Sequence, residues 1–303
     1  MSSADVRAHS PERPTDMLGA VQAPALGDVA RYPGTLRRQL SAELRLVFRR
    51  RRNLFMLLVL AGVPVLIGVA VRVSAPRPGD GPPLIGQLTG NGLFLAFAAL
   101  TACLPVFLPL AVAVVGGDAV AGEANTGTLR YLLTLPVSRT RILAIKAFGV
   151  ITYIAAAVLL IAVVGVSLGV GLFGAHGMTL LSGDTVSLAN GAARAVGVAG
   201  FVVVDLLGLA ALALFFSTLT EVPIGAMAAT VGLAIAFVVL DAIPQLGGFR
   251  SLLLTHHWFD FGELLRRDVD LRTLLGALGV PLAYTAIFGA AAWARLTSAD
   301  VTS

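Results

Sequence analysis

The chain has 303 residues, of which 57% are hydrophobic and only 13% charged, with a mean hydropathy of +0.87 and a net charge of +5. A soluble globular domain carries about 25% charged residues; the deficit is that of a surface facing lipid, where each charge at mid-bilayer costs roughly 2.5–3.5 kcal/mol. A soluble fold is thereby excluded, and since the positive charge is distributed as membrane topology requires, nucleic-acid binding is not expected.

Residues 1–33 are rich in Pro, Ala, Asp and Arg without periodicity, and are expected to form a disordered tail ahead of a single membrane domain over 34–303. From Thr35 the pattern changes. Leu36, Leu40, Leu44, Val47 and Phe48 share one helical face, with Arg38, Arg45, Arg49 and Arg52 largely off it. This predicts an amphipathic helix on the membrane surface; the alternative is a simple basic flank. The first apolar run begins only at Leu54, too late for a cleavable signal peptide.

Six apolar runs follow, at 54–71, 92–115, 147–173, 195–216, 222–243 and 274–293. About 20 residues of helix cross 30 Å of hydrocarbon. Helices are expected because lipid cannot satisfy backbone polar groups, and the alternating polarity of a β-barrel is lacking. With the N-terminus inside, 15 of the 22 basic residues fall on the cytoplasmic side and 7 outside. The expected fold is therefore an all-α polytopic membrane protein with six spans, N-in and C-in, in the cell membrane. Pro105 and Pro109 break backbone bonds in the second run and allow a bend there; Pro64 and Pro281 do so in the first and last. Cys103, the lone cysteine, should pack as a small hydrophobe. In the loop 244–273, Leu254, Trp258, Phe261 and Leu265 recur at helical spacing, which predicts one or two short helices dipping into the outer leaflet, with Trp258 of an interface-anchoring type.

Tests for chemistry are mostly negative. The only lysine, Lys146, has no glycines in register for a phosphate-binding loop, so any ATP would be bound by another subunit. Gly165-Val166-Ser167-Leu168-Gly169 matches the G-x-S-x-G nucleophile pattern, yet lies within an apolar run with no histidine in any span to act as base. Helix packing through Gly165 and Gly169 is the preferred reading. His256 and His257 are adjacent and would point to different faces, so no metal site is assigned. Asp205 lies near mid-bilayer. It is read either as a functional acid or as a hydrogen-bonded packing acid, with Thr152, Tyr153 or Tyr284 as hydroxyl partner.

The segment GEANTGTLRYLLTLPVSRTRILAIK, residues 122–146, carries the densest polar pattern. Asn125, Thr126 and Gly127 make a break, Leu129, Leu132, Leu133 and Leu135 form an apolar strip, Pro136 ends it, and Ser138 is a good N-cap for a helix entering the third span. Glu123, Gly127-Thr128-Leu129, Leu132-Leu133, Pro136-Val137-Ser138-Arg139, Ile142-Leu143 and Lys146 together resemble the second-to-third-span loop of ABC-2 type transporter permeases. The order of parts over about residues 35–293 resembles that family too; the arginine-rich loop 244–273 departs from it. The resemblance implies a permease subunit of an ATP-driven transporter, an exporter rather than an importer, working as a homo- or heterodimer with two separate ATPase subunits. ATP and magnesium would sit on those partners, and this chain would hold no cofactor, no metal and no catalytic residue. Glu123, Gly127, Thr128, Leu129, Arg130, Leu132, Leu133, Pro136 and Arg139 would form or flank a coupling helix seated on the ATPase. The competing readings are a non-transporting scaffold or sensor using the same loop, and an intramembrane enzyme using Ser167 or Asp205.

Overall fold

A computed structural model describes residues 35–73, 93–127, 138–174, 178–179 and 185–298. The chain divides into a first unit, residues 1–38, of which 35–38 are described, and a second, residues 39–303. The expected tail, 1–33, lies outside the described residues, as do 128–137.

The described residues are helical except for a two-residue antiparallel ladder that pairs Met178 with Val186 and Thr179 with Thr185. Helix α1 (Thr35–Arg49) matches the predicted amphipathic helix and meets α2 (Arg51–Val73) at Arg50. Next come α3 (Phe94–Cys103), α4 (Phe107–Asp118) and the short α5 (Ala121–Asn125). Helix α6 (Arg139–Phe173) is followed by α7 (Leu188–Leu219) and α8 (Pro223–Asp241). Three short 3-10 stretches, Pro244–Leu252, Leu254–His257 and Asp260–Leu265, lead to α9 (Leu271–Ala277) and α10 (Gly279–Ser298).

Among the described residues, five helical runs are long and apolar enough to cross a membrane: α2, α6, α7, α8 and the α9–α10 run. The α3–α4 pair is bent by 58° at the break around Pro105, where a proline cannot continue the backbone ladder, so it is a broken span or a re-entrant loop. The protein is thus a multi-pass, essentially all-helical membrane protein. The helices overrun the apolar runs because polar caps lie beyond them. Ser138 Oγ accepts the Arg141 N–H at 3.3 Å and starts α6 eight residues before the expected span; Ser187 does the same for α7, accepting from Asn190.

Helix α7 is the axis of the core. Within its apolar window 72% is buried, against 17% in α8, and its Ala- and Gly-rich sequence lets neighbours approach closely. Cys103 is fully buried in the same core. The Gly165 reading holds: a Cβ there would fall 2.6 Å from the Ala96 Cα of α3, so only glycine admits this contact, while Ser167 Oγ donates to the Val163 carbonyl of its own helix.

The segment before the last helix is 3-10 rather than α. Leu254, Trp258, Phe261 and Leu265 are all buried, so Trp258 is a core residue and not a surface anchor. Asp270 caps α9, its Oδ1 accepting the Arg272 N–H at 2.9 Å and its Oδ2 the Thr273 hydroxyl at 2.6 Å. The Thr273 hydroxyl, then the backbone N–H groups of Thr273 and Arg272, hold the Asp270 carboxyl below its ordinary range. A carboxyl whose pKa is depressed on folding adds stability above its unfolded pKa of about 3.9 and loses it as pH falls through the lower folded value. Asp270→Asn should therefore lower the melting temperature at neutral pH, with the gap from wild type narrowing as pH drops below about 4.

Candidate functional site

The loop singled out by sequence has two described feet and an undescribed middle. On one side, α5 ends at Asn125, and Gly127 takes φ +71°, a left-handed conformation that favours glycine. On the other, Arg139 opens α6. Thr128, Leu129, Arg130, Leu132, Leu133, Leu135 and Pro136 lie outside the described residues, and with them the crosswise helix.

Both feet are anchored by ions. Lys146, on the first turns of α6, is 4% exposed. Its Nζ donates to Glu43 Oε2 of α1 at 2.8 Å and to Glu123 Oε1 of α5. The loop's two ends are therefore tied to each other and to the amphipathic helix through one ammonium group. Buried charges persist only when paired. Two carboxylates on one ammonium leave a net negative charge, and a neighbouring group carries the opposite excess. There Asp118, at the end of α4, binds both Arg50 and Arg52, the latter at 2.9 Å. The six side chains sum to zero. A small crevice lined by Glu43, Val47, Arg50, Asn53, Val115 and Asp118 separates α1 from the span beneath it.

Three further contacts brace this end of the molecule. Arg139 Nη1 donates to the Leu296 and Thr297 carbonyls at 3.0 and 3.1 Å, a cation on the free carbonyls of a helix C-terminus, and Trp293 Nε1 donates to Thr140 Oγ1 at 2.9 Å. These tie α6 to the end of α10. Ser217 of α7 reaches the break between α4 and α5. Its Oγ accepts the Val120 and Ala121 N–H groups at 3.0 and 2.9 Å and donates to the Gly117 carbonyl at 2.8 Å. Finally, Asn53 Nδ2 donates to the Val47 carbonyl and Tyr153 Oη to the Asn53 carbonyl, locking the α1–α2 corner onto α6.

Of the residues expected at the coupling site, the structure places Glu123, Gly127 and Arg139 at the loop's feet. Glu43, Asp118, Lys146 and Ser217 were missed as site residues. Glu43 was findable: it lies three residues after Leu40 and four before Val47, on the apolar face of α1 rather than the basic one. Ser217, which falls between the fourth and fifth apolar runs, lies in the last part of α7 and is 1% exposed.

Asp205 stands apart from this cluster. It is fully buried in α7, and the hydroxyl partners expected for it are engaged elsewhere. Tyr153 donates to Asn53, Thr152 to Phe148 and Tyr284 to Leu252, each to a backbone carbonyl. The expectation fails because it rested on shared depth, whereas packing turns these residues toward other elements. The adjacent histidines pack edge to face with ring centroids 5.1 Å apart, yet take different partners: His256 Nδ1 lies 2.7 Å from Asp241 and His257 Nδ1 2.8 Å from Asp260.

This architecture, apolar helices joined by a charge-locked end, defines a multi-pass helical membrane protein with a braced interhelical loop. Residues 84–274 match the model of a family described as a protein of unknown function, DUF2705, and the chain belongs to that family. The match includes Asp118, Glu123, Lys146, Asp205 and Ser217, while Glu43, Arg50 and Arg52 precede it. No curated protein matches the chain.

Proposed function

We propose that this chain is the membrane-spanning permease subunit of an ATP-driven transporter of the ABC-2 type, an exporter coupled to a separate ATPase through the 122–141 loop. The observation that carries the reading is the Glu43–Lys146–Glu123 ion cluster at the loop's feet. A connector that only spans solvent has no use for two buried charges and a third that is 13% exposed. A loop that receives force does, because the load passes at once to α1, α5 and α6, and through Arg139 to α10. The bent α3–α4 pair, counted as one span, completes six. The excess of basic residues at the N-terminus then puts the loop in the cytoplasm of a cell-membrane protein, where ATP is available. Two such subunits would pair around the cargo path.

The test uses this chain in proteoliposomes with an ATPase encoded beside it. Glu123→Gln and Arg139→Ala should leave insertion and copurification of the ATPase intact while permease-stimulated ATP hydrolysis falls about 2- to 30-fold, the range of a coupling term of 0.5–2 kcal/mol. Wild-type stimulation in both variants would refute the coupling role. An ATPase that copurifies but is never stimulated would make the chain a scaffold.

A further inference from the structure

Three buried polar groups lie on α7 and on the 3-10 segment that packs against it. Both carboxylate oxygens of Asp205, the hydroxyl of Thr255 and the indole N–H of Trp258 have no hydrogen-bond partner among the described residues. Asp205 is 0% exposed, Trp258 1% and Thr255 5%. Their placement is set by Gly208, one helical turn beyond Asp205 on the same face of α7. A Cβ at Gly208 would lie 2.5 Å from Leu254 Cδ1 and 3.2 Å from the Pro281 Cα, so this face packs directly on the 254–258 segment and on the start of α10.

A buried carboxylate needs a counter-charge or it costs several kcal/mol. No ion pair to Asp205 is found among the described residues. Arg250 and His256 bind Asp241, Arg266 binds Glu263, and Arg194 donates to the Leu264 and Arg266 carbonyls. The nearby Asp260 carboxylate, held by His257, adds repulsion. The neutral oxygen on the packed segment is the Thr255 hydroxyl.

We propose that Asp205 and Thr255 form a binding site for a hydrated monovalent alkali cation, sodium being the type case. One free carboxylate with neutral oxygens balances a single positive charge, and hard oxygen ligands select alkali or alkaline-earth ions over softer metals. No group of three or more His, Cys, Asp or Glu side chains assembles among the described residues, which argues against a divalent or transition-metal site. The Trp258 N–H cannot ligate a cation, but it can donate to a water of the ion's shell. This site is independent of the coupling loop and stands or falls without it.

Trp258 and Trp293 are the chain's two tryptophans, so Trp293→Phe leaves Trp258 as the sole reporter beside the site. The full chain carrying that change is placed in lipid nanodiscs in N-methylglucamine chloride and titrated with sodium chloride at constant ionic strength. A saturable change in Trp258 emission is expected, absent in Asp205→Asn and shifted to about tenfold higher sodium in Thr255→Val. In the wild-type chain, the melting temperature should rise with sodium and not with N-methylglucamine, a readout that needs no variant. If sodium, potassium and N-methylglucamine give the same emission and the same melting temperature, the groups are served by water or by a proton alone and the site is refuted. A sodium response that persists in Asp205→Asn would refute it equally.

Discussion

Replacing Lys146 by methionine should destabilise the protein by about 3–5 kcal/mol, the cost of leaving a buried charge without its partner. Lysine and methionine have similar lengths, so packing at the start of α6 is nearly preserved and the electrostatic effect is isolated. Without the ammonium, Glu43 and Glu123 face each other at 9–13% exposure with no cation between them. Glu43→Gln should cost much less, because Lys146 keeps Glu123. The triple variant Glu43→Gln, Lys146→Met, Glu123→Gln should recover much of the loss, since neutral side chains of the same shape need no counter-charge. Thermal unfolding in detergent reads all three. A Lys146→Met protein that melts with wild type, or a triple variant that melts below the single one, would show that this cluster does not hold the end of the molecule together.

The second large effect is expected at Ser217, where one hydroxyl serves three backbone groups at the α4–α5 break. Ser217→Ala removes the acceptor for two buried N–H groups and the donor to one carbonyl. Each buried group left unsatisfied costs about 1–3 kcal/mol, and with partial relaxation a net loss of about 2–4 kcal/mol is expected. Ser167→Ala is the control. Its hydroxyl is exposed and bonds only its own helix, so its melting temperature should move little, within about 0.5 kcal/mol of wild type. Equal behaviour of the two variants would mean that the break is held by packing and not by Ser217. Because the break ends three residues before Glu123, Ser217→Ala should also loosen the loop's first foot, visible as faster amide exchange at residues 119–124.

Much of the fold was legible. The leucine and valine spacing after Thr35 predicted α1, Ser138 was correctly assigned as a cap, and Pro105 marked the bend between α3 and α4. These signals are local: a hydroxyl beside a free N–H, a missing N–H, a period of 3.6. The misreadings came from residues whose meaning depends on a neighbour far along the chain. Trp258 looked like an interface anchor because tryptophan favours interfaces, but its position under α7 buries it. Ser217 lay just past the end of an apolar run, and nothing local shows that it completes another helix's backbone. Lys146 was read only against a phosphate-binding loop and as part of the 122–146 pattern; its two glutamates lie 103 and 23 residues away.

What composition and pattern settled is the partition into lipid-facing helices and polar connections, because transfer free energy and helix periodicity accumulate over windows of about 20 residues and need no knowledge of the rest of the chain. What only packing decided is which charges meet. Glu43 finds Lys146, and Asp118 finds Arg52, because α1, α2, α4 and α6 converge at one end. Asp205 finds no hydrogen-bond partner among the described residues, where α7 packs on a segment whose Thr255 hydroxyl and Trp258 N–H are also unpartnered. Ion pairs act over a few ångströms, and that distance is set by how helices stack, not by their order in the chain.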